Sequence, residues 1–195
     1  MVLSLAVLAI MLEWRWNMPA LSALTMVTAS LLTLFAILTY HEPRTLMPAL
    51  KSPWLAAHIL VAVISYGLLA VSACSALLFC FNKQFKMANA DNALSQAKLA
   101  KVTNILILSA MPFLTLLIIT GAVWAEYAWD AYWRWDPKET WSLITWLIYC
   151  MYLHGHLTRR WTESRSMGLA LLGFTAVIIT YIGVSYLLPG LHSYN

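Results

Sequence analysis

Long stretches without a charged side chain restrict the fold of this chain more than any other feature. None of the residues in 20–40, 54–81, 102–123 and 167–188 is Asp, Glu, Lys or Arg. An α-helix of about 20 apolar residues crosses a bilayer and satisfies its backbone hydrogen bonds internally. Together with the largely apolar segment 137–156, this pattern predicts an all-α, polytopic integral membrane bundle with about five full transmembrane helices.

The first residues fit this picture only in part. Residues 1–12 are apolar but too short to span a bilayer, and the Glu-Trp-Arg-Trp run at 13–16 resembles a membrane interface. The segment lacks the basic start and the small-residue cleavage site of a secretory signal. We therefore expect a partial N-terminal helix and a chain shortened at its N-terminus. Because 62% of all residues are hydrophobic and only 10% are charged, an ordinary globular domain is excluded.

Basic residues are concentrated in two connections, 83–101 and 157–166, which are separated by two predicted spans. Two such connections lie on the same side of the membrane, and Lys and Arg favour the cytoplasmic side. We therefore expect the connection 41–53, the segment 124–136 and the C-terminus on the outer side. No pattern indicates nucleic-acid binding.

A tryptophan-rich segment, residues 124–146, contains six of the ten tryptophans and four of the eight acidic residues. Trp and Tyr are enriched at membrane interfaces, so one interpretation is an aromatic belt. A belt needs fewer aromatic residues than this, and basic side chains are interleaved here. We favour a platform that binds a flat ligand. The cofactor-binding candidates are Trp124, Trp129, Trp133, Arg134, Trp135, Asp136, Lys138 and Trp141.

The same segment contains a helix-start signal. Asp136 suits an N-cap, Pro137 suits the first helical position, and Glu139 stands where a capping-box carboxylate is found. The cap explains these two carboxylates better than metal binding does.

Two histidines lie near the tryptophan-rich segment in the predicted topology. His58 follows Trp54 by four residues, which is about 6 Å along a helix, and His192 follows the last span. A single interfacial histidine has a structural explanation. Two at matching depth beside many tryptophans are typical of axial ligands of a haem iron. The haem propionates would then pair with Arg134 and Lys138.

His154 and His156 are two residues apart on one predicted helix, so their side chains point about 200° apart. We expect His154 to face the bundle and His156 to lie at the interface. Ionisable residues within a span are functional candidates, so His154 marks a possible inner haem site. It would lie about 26 Å from the tryptophan-rich segment. The structural alternative is a histidine that donates to a neighbouring carbonyl.

The cysteines, Cys74, Cys80 and Cys150, fall within predicted spans without C-x-x-C spacing. Their positions argue against a thiol oxidoreductase and against covalent haem on this chain. Buried packing is the role we expect for them.

Residues 121–154, GAVWAEYAWDAYWRWDPKETWSLITWLIYCMYLH, resemble the "WWD" signature of haem-handling membrane proteins of cytochrome c biogenesis. Within this group the chain is most similar to the CcsA/ResC family, a subunit of the system II cytochrome c synthase. The runs SPWLAAH at 52–58, SYGLLA at 65–70 and YIGVSYLLPGLHSY at 181–194 are also similar to that family. The resemblance defines a haem-handling domain over 51–195, with its WWD loop at 121–146, after a weakly matched N-terminal membrane segment, 1–50.

The resemblance implies an outer haem site formed by the WWD loop with His58 and His192, and an inner site at His154. It implies a subunit of a lyase-type holocytochrome c synthase complex, which binds haem b at the outer membrane face and presents it for thioether attachment to apocytochrome c. The implied partners are a CcsB/ResB-type membrane subunit, apocytochrome c, thiol reductants of the outer compartment and membrane lipid. The implied location is a bacterial inner membrane or a thylakoid membrane.

The chain departs from the family pattern at two places. Asp130 stands where the family usually has glycine after the tryptophan, and the N-terminus is shorter. Two alternatives stay open: a CcmC-type protein that delivers haem to a carrier, and a non-catalytic membrane protein that regulates or scaffolds assembly.

Overall fold

The computed structural model describes residues 2–40, 51–85, 96–158 and 161–184. All regular structure in these ranges is helical, which confirms the predicted fold class. The helices are α1 (Val2–Trp16), α2 (Pro19–Leu38), α3 (Pro53–Phe85), α4 (Gln96–Trp129), α5 (Pro137–Leu157) and α6 (Glu163–Ile178), and α6 continues into a π-helical turn (Ile179–Gly183).

Among the described residues, four helices are long and apolar enough to cross a membrane: α2, α3, α4 and α6 with its π-helical turn. The helix α5 has 21 residues, about 32 Å at 1.5 Å per residue. Its composition is mixed, but it packs alongside α4 and α6. The partial N-terminal helix predicted from the sequence corresponds to α1, which has 15 residues.

The most extensive helix packing is between α3 and α4, and α3 also packs against α1, α2 and α6. Its buried face consists largely of small residues, which let helix backbones approach closely within a membrane. Ser75 in this face donates to the carbonyl oxygen of Leu99 on α4 at 3.0 Å. The core of the bundle is therefore built around α3.

Consecutive helices run in opposite directions, and two contacts identify the ends of the bundle. At one end, His58 near the start of α3 lies 3.0 Å from the carbonyl oxygen of Leu117 on α4. At the other end, Lys83 donates to the hydroxyl of Ser164 at 2.6 Å, which links the end of α3 to the start of α6. We call these the aromatic end and the basic end. The connection that follows Trp129 lies at the aromatic end, as the sequence predicts.

The helix α4 is longer at both ends than the span 102–123 that the sequence predicts. It continues through Trp124 and Trp129, so the non-helical part of the tryptophan-rich segment is only the 130–136 loop. The reason is packing, since Trp124 and Ala125 are buried and extend the helical face beyond the apolar run. The helix also continues through Pro112.

Candidate functional site

A cavity of about 380 Å³ opens at the aromatic end of the bundle. Its walls come from α3, α4, the 130–136 loop, α5 and the π-helical turn. The side chains that matter for its chemistry are His58, Tyr66, Trp124, Tyr132, Trp133, Lys138, Glu139, Ser142 and Tyr181. The structure thus brings together His58, Trp124, Trp133 and Lys138 from the residues predicted by the sequence.

His58 enters the cavity from the second turn of α3. Its Nδ1 lies 3.0 Å from the carbonyl oxygen of Leu117. A carbonyl oxygen can only accept, so Nδ1 carries the proton in this hydrogen bond, and in the neutral imidazole Nε2 then carries the lone pair. A histidine ligand is commonly oriented in this way, by donating its other ring nitrogen to a backbone carbonyl. His58 therefore has the tautomer that suits coordination through Nε2.

The tryptophans form two edge-to-face pairs. Trp124 and Trp129 have ring centroids 5.7 Å apart at an interplanar angle of 78°, and Trp133 and Trp135 are 5.7 Å apart at 90°. In each pair one ring lines the cavity and the other packs against it, and Trp135 is 68% exposed. Trp141 is half-buried and does not line the cavity. Two of the five predicted tryptophans thus face the ligand space directly.

Arg134 links the 130–136 loop to both flanking helices by hydrogen bonds. The guanidinium donates to the carbonyl oxygen of Trp129 at the end of α4, and the Arg134 amide donates to Glu139 Oε2 at 2.8 Å. This arrangement satisfies a helix-terminal carbonyl that has no partner within α4. The cation that lines the cavity itself is Lys138, since Arg134 is exposed on the outside of the loop.

The start of α5 has the capping box that the sequence predicts. Asp136 is buried, and its carboxylate accepts from the Lys138 amide at 3.0 Å. Glu139 Oε2 in turn accepts from the Asp136 amide at 3.1 Å. Because the box fixes the first turn of α5, it also fixes where Lys138 projects.

Two backbone positions of the loop lie in the left-handed region, Asp130 at φ 62° and Trp135 at φ 57°. Glycine adopts this conformation without a steric cost, and Asp is one of the few other residues that tolerate it. The departure from the family pattern at Asp130 is therefore compatible with the turn that a glycine would form.

Several residues of the cavity wall were not predicted from the sequence, in particular Tyr66, Ser142 and Tyr181. A signal for two of them was present. Tyr66 follows His58 by eight residues, and Ser142 follows Lys138 by four, so each lies on the same helical face as a predicted site residue. Tyr181 could not have been found in this way, because it belongs to the π-helical turn, whose period differs from that of an α-helix.

His192, the second predicted iron ligand, lies outside the described residues. Its pairing with His58 stays a prediction.

At the basic end, the inward orientation predicted for His154 is wrong: His154 and His156 are both exposed, and His156 is the one that contacts a neighbouring helix. His156 Nε2 lies 2.7 Å from the side-chain amide nitrogen of Asn104. The His156 and Tyr152 rings are stacked, with centroids 6.4 Å apart and an interplanar angle of 9°. His156 also lines a second cavity, of about 390 Å³, between α4, α5 and the start of α6. His154 is exposed on another face of α5. The buried face of α5 includes Tyr149 and Tyr152, and the helical period places position 156, not 154, on that face.

The first cavity has aromatic and apolar walls, one oriented imidazole, one ammonium group and the carboxylate of Glu139, which accepts from the Arg134 and Asp136 amides. Such a site suits a flat, apolar ligand with anionic groups at its edge and an atom that an imidazole can coordinate. The fold and this site define a polytopic helical membrane protein with a ligand cavity at one end of its bundle.

Comparisons with known proteins identify the family. The model of the family described as Cytochrome C assembly protein matches residues 1–192. The cytochrome c biogenesis protein CcsA of Guillardia theta is 38% identical over 96% of this chain and 70% of its own length. The proteins of the same name from Chlamydomonas reinhardtii and Gloeobacter violaceus are 40% and 37% identical over 80% and 89% of this chain. The chain therefore belongs to the cytochrome c assembly protein family, in its CcsA group.

This membership confirms the family resemblance and supports a role in cytochrome c assembly, which implies the handling of haem. The chain spans 44% of the length of the Chlamydomonas relative and 67% of that of the Gloeobacter relative.

Proposed function

We propose that the cavity at the aromatic end binds haem b without a covalent bond and presents it for attachment to apocytochrome c. The observation that carries this proposal is the imidazole of His58, which is held by the Leu117 carbonyl in an aromatic cavity that also contains Lys138. Haem is here the cargo of the protein, and its vinyl groups are the electrophilic carbons that the apocytochrome thiols attack.

The residues present fit this cargo. A volume of about 380 Å³ is in the range of small-molecule and cofactor sites. Trp124 and Trp133 offer aromatic surface to a porphyrin, and Lys138 offers a charge-assisted hydrogen bond to a propionate. His58 is the proposed axial ligand, with His192 as the second ligand. Other predicted residues act indirectly in this proposal. Trp129 and Trp135 pack against the rings of Trp124 and Trp133, and Asp136 caps the turn that carries Lys138.

The reaction itself adds the S–H bond of a cysteine across the C=C bond of a vinyl group, so atoms and electrons balance without an oxidant. Both apocytochrome thiols must be reduced, which is why thiol reductants belong to the proposed system. The contribution of this chain is to hold the cargo in one orientation and away from bulk water. Positioning of this kind makes the reaction effectively intramolecular.

The proposed partners are a CcsB/ResB-type membrane subunit and the apocytochrome. The aromatic end is proposed to face the periplasm or the thylakoid lumen. Lys83 and Ser164 meet at the opposite end, beside the connections that carry most of the basic residues. The CcsA name of the compared relatives favours the synthase subunit over delivery of haem to a carrier.

The test is the absorption spectrum of the solubilised protein, with and without its partner subunit. His58→Gly should lower the haem content or change its spectrum, and added imidazole should partly restore it by entering the vacated position. His156→Gly, at the other end of the bundle, is the matched control and should keep the spectrum of haem at the aromatic end. A wild-type spectrum in His58→Gly, or an equal loss in both variants, would reject His58 as the ligand.

A further inference from the structure

A glycine of α4, Gly121, leaves room for the His58 ring of α3 at the cavity. A Cβ atom placed on Gly121 would lie 2.9 Å from Cε1 and 3.0 Å from Nδ1 of His58. Real Cβ atoms do not approach a ring carbon so closely, and both atoms belong to a ring that cannot bend. Any other residue at position 121 therefore has to displace the imidazole.

The same glycine exposes the carbonyl group that His58 uses. Leu117 precedes Gly121 by four residues, so both lie on one face of α4. A helical side chain leans toward the N-terminus and covers the preceding turn, which here is the turn of Leu117. Without a side chain at 121, the Leu117 carbonyl oxygen accepts from His58 Nδ1 at 3.0 Å. The absence of a side chain at Gly121 thus makes room for the hydrogen bond from His58 to Leu117.

We propose that Gly121 is a positioning residue for the haem ligand: the missing side chain lets His58 donate Nδ1–H to the Leu117 carbonyl, which fixes Nε2 as the coordinating nitrogen. The inference rests on the proposed function and deepens it by naming what orients the ligand. Loss of such a partner for a histidine ligand typically weakens metal binding by about 10- to 100-fold.

Other glycines of the bundle provide matched controls. A Cβ on Gly168 of α6 meets nothing within 4 Å, so Gly168→Ala tests the effect of adding a helix-favouring methyl group. A Cβ on Gly173 would lie 2.6 Å from Cζ of Tyr149, and neither residue lines the cavity, so Gly173→Ala tests overpacking alone. Comparing these variants with Gly121→Ala separates an effect on His58 from general damage to the bundle.

The first measurement needs no haem. In ¹⁵N-histidine-labelled protein in lipid bilayers, the His58 signals, assigned by their loss in His58→Gly, should show a protonated Nδ1 and an unprotonated Nε2. Gly121→Ala should abolish this tautomer preference, and Gly168→Ala and Gly173→Ala should keep it. An unprotonated Nδ1 in the wild type, or an unchanged preference in Gly121→Ala, overturns the inference whether or not the protein binds haem.

The second measurement uses the haem-loaded protein. Gly121→Ala should weaken haem binding by about 10- to 100-fold, change the absorption spectrum and raise the reduction potential, because the ligand loses the hydrogen bond that makes it more basic. Gly173→Ala, even if it is less stable, should keep the wild-type spectrum and potential. Equal spectra and potentials in the two variants would overturn a positioning role for Gly121. If neither the wild type nor any variant binds haem, the proposed function is rejected, but the result on the His58 tautomer still stands.

Gly121→Ala alone could fail to fold. The double variant Gly121→Ala/His58→Gly then removes the ring that the methyl group meets. A double variant as stable as His58→Gly supports the contact between the methyl group at position 121 and the His58 ring. One as unstable as Gly121→Ala alone shows that the methyl group disturbs something other than His58, which overturns the inference.

Discussion

The indole nitrogen of Trp146 donates a hydrogen bond of 3.0 Å to the hydroxyl oxygen of Thr115, and so joins α5 to α4 inside the bundle. The Thr115 hydroxyl donates in turn to the Met111 carbonyl at 2.9 Å. Polar links between helices are one of the few sources of helix association in a membrane, where apolar burial drives little. This contact holds the cavity-forming part of α5 against α4.

We expect the interhelical hydrogen bond that Trp146→Phe removes to contribute about 0.6 kcal/mol to the free energy of unfolding, and no more than about 1.7 kcal/mol, in addition to the packing lost with the smaller ring. Thermal or denaturant unfolding of the solubilised protein measures this. A double-mutant cycle with Thr115→Val isolates the bond from the Met111 contact. Strictly additive effects of the two substitutions would contradict the bond.

Asp136→Ala should destabilise the protein by about 0.5 to 2 kcal/mol, because the N-cap acceptor of α5 is lost. Glu139→Gln is the matched control, since a glutamine at that position also completes a capping box. Because the cap fixes the turn that carries Lys138, haem retention should fall in Asp136→Ala and remain in Glu139→Gln. An unchanged melting temperature in Asp136→Ala would show that the cap contributes nothing measurable.

The backbone at Asp130, with φ at 62°, predicts how this turn responds to substitution. Asp130→Gly should change the free energy of unfolding by less than about 1 kcal/mol, because two effects oppose each other. Glycine has no steric strain in the left-handed region, but it loses more backbone entropy on folding than Asp does. Asp130→Val should cost about 1 to 3 kcal/mol, because a β-branched residue is strained there. Unfolding curves of the two variants provide the comparison. Equal curves would mean that the turn has another conformation.

Sidedness can be measured with single cysteines in a background lacking Cys74, Cys80 and Cys150. Ala131→Cys in the 130–136 loop should react with a membrane-impermeant thiol reagent from the outer compartment. Ala93→Cys in the basic connection should react only after the membrane is opened. Labelling of both from one side would contradict the proposed orientation and, with it, the outer position of the haem site.

The inner site predicted at His154 stays a prediction, and the exposed side chain on α5 is one that a second subunit could reach. With the partner subunit present, His154→Gly should reduce the haem that reaches the aromatic end without changing its spectrum, and imidazole should restore loading. His156→Phe, which keeps a ring on Tyr152 but loses the Asn104 contact, should not show this rescue. Wild-type haem content in His154→Gly would leave that histidine without a role in haem handling.

Features encoded within one segment were predictable from the sequence. The apolar runs predicted the helices, because backbone hydrogen bonds in a bilayer must be satisfied inside each segment. The pattern Asp136, Pro137, Glu139 predicted the start of α5 and its capping box, because the groups that close the box lie within four residues of one another. The position of His58 near the tryptophan-rich segment followed from the number of spans between them.

The rotation of each helix about its axis depended on its neighbours. Helices in a bilayer are apolar on most faces, so hydropathy does not indicate which of His154 and His156 points inward. The packing of Tyr149 and Tyr152 in the core of the bundle places His156, although it is exposed, on the side of α5 that faces α4. In the same way, the bond from His58 to the Leu117 carbonyl joins residues 59 positions apart. It exists because α3 and α4 pack closely at Gly121, a proximity that no local pattern in either helix encodes.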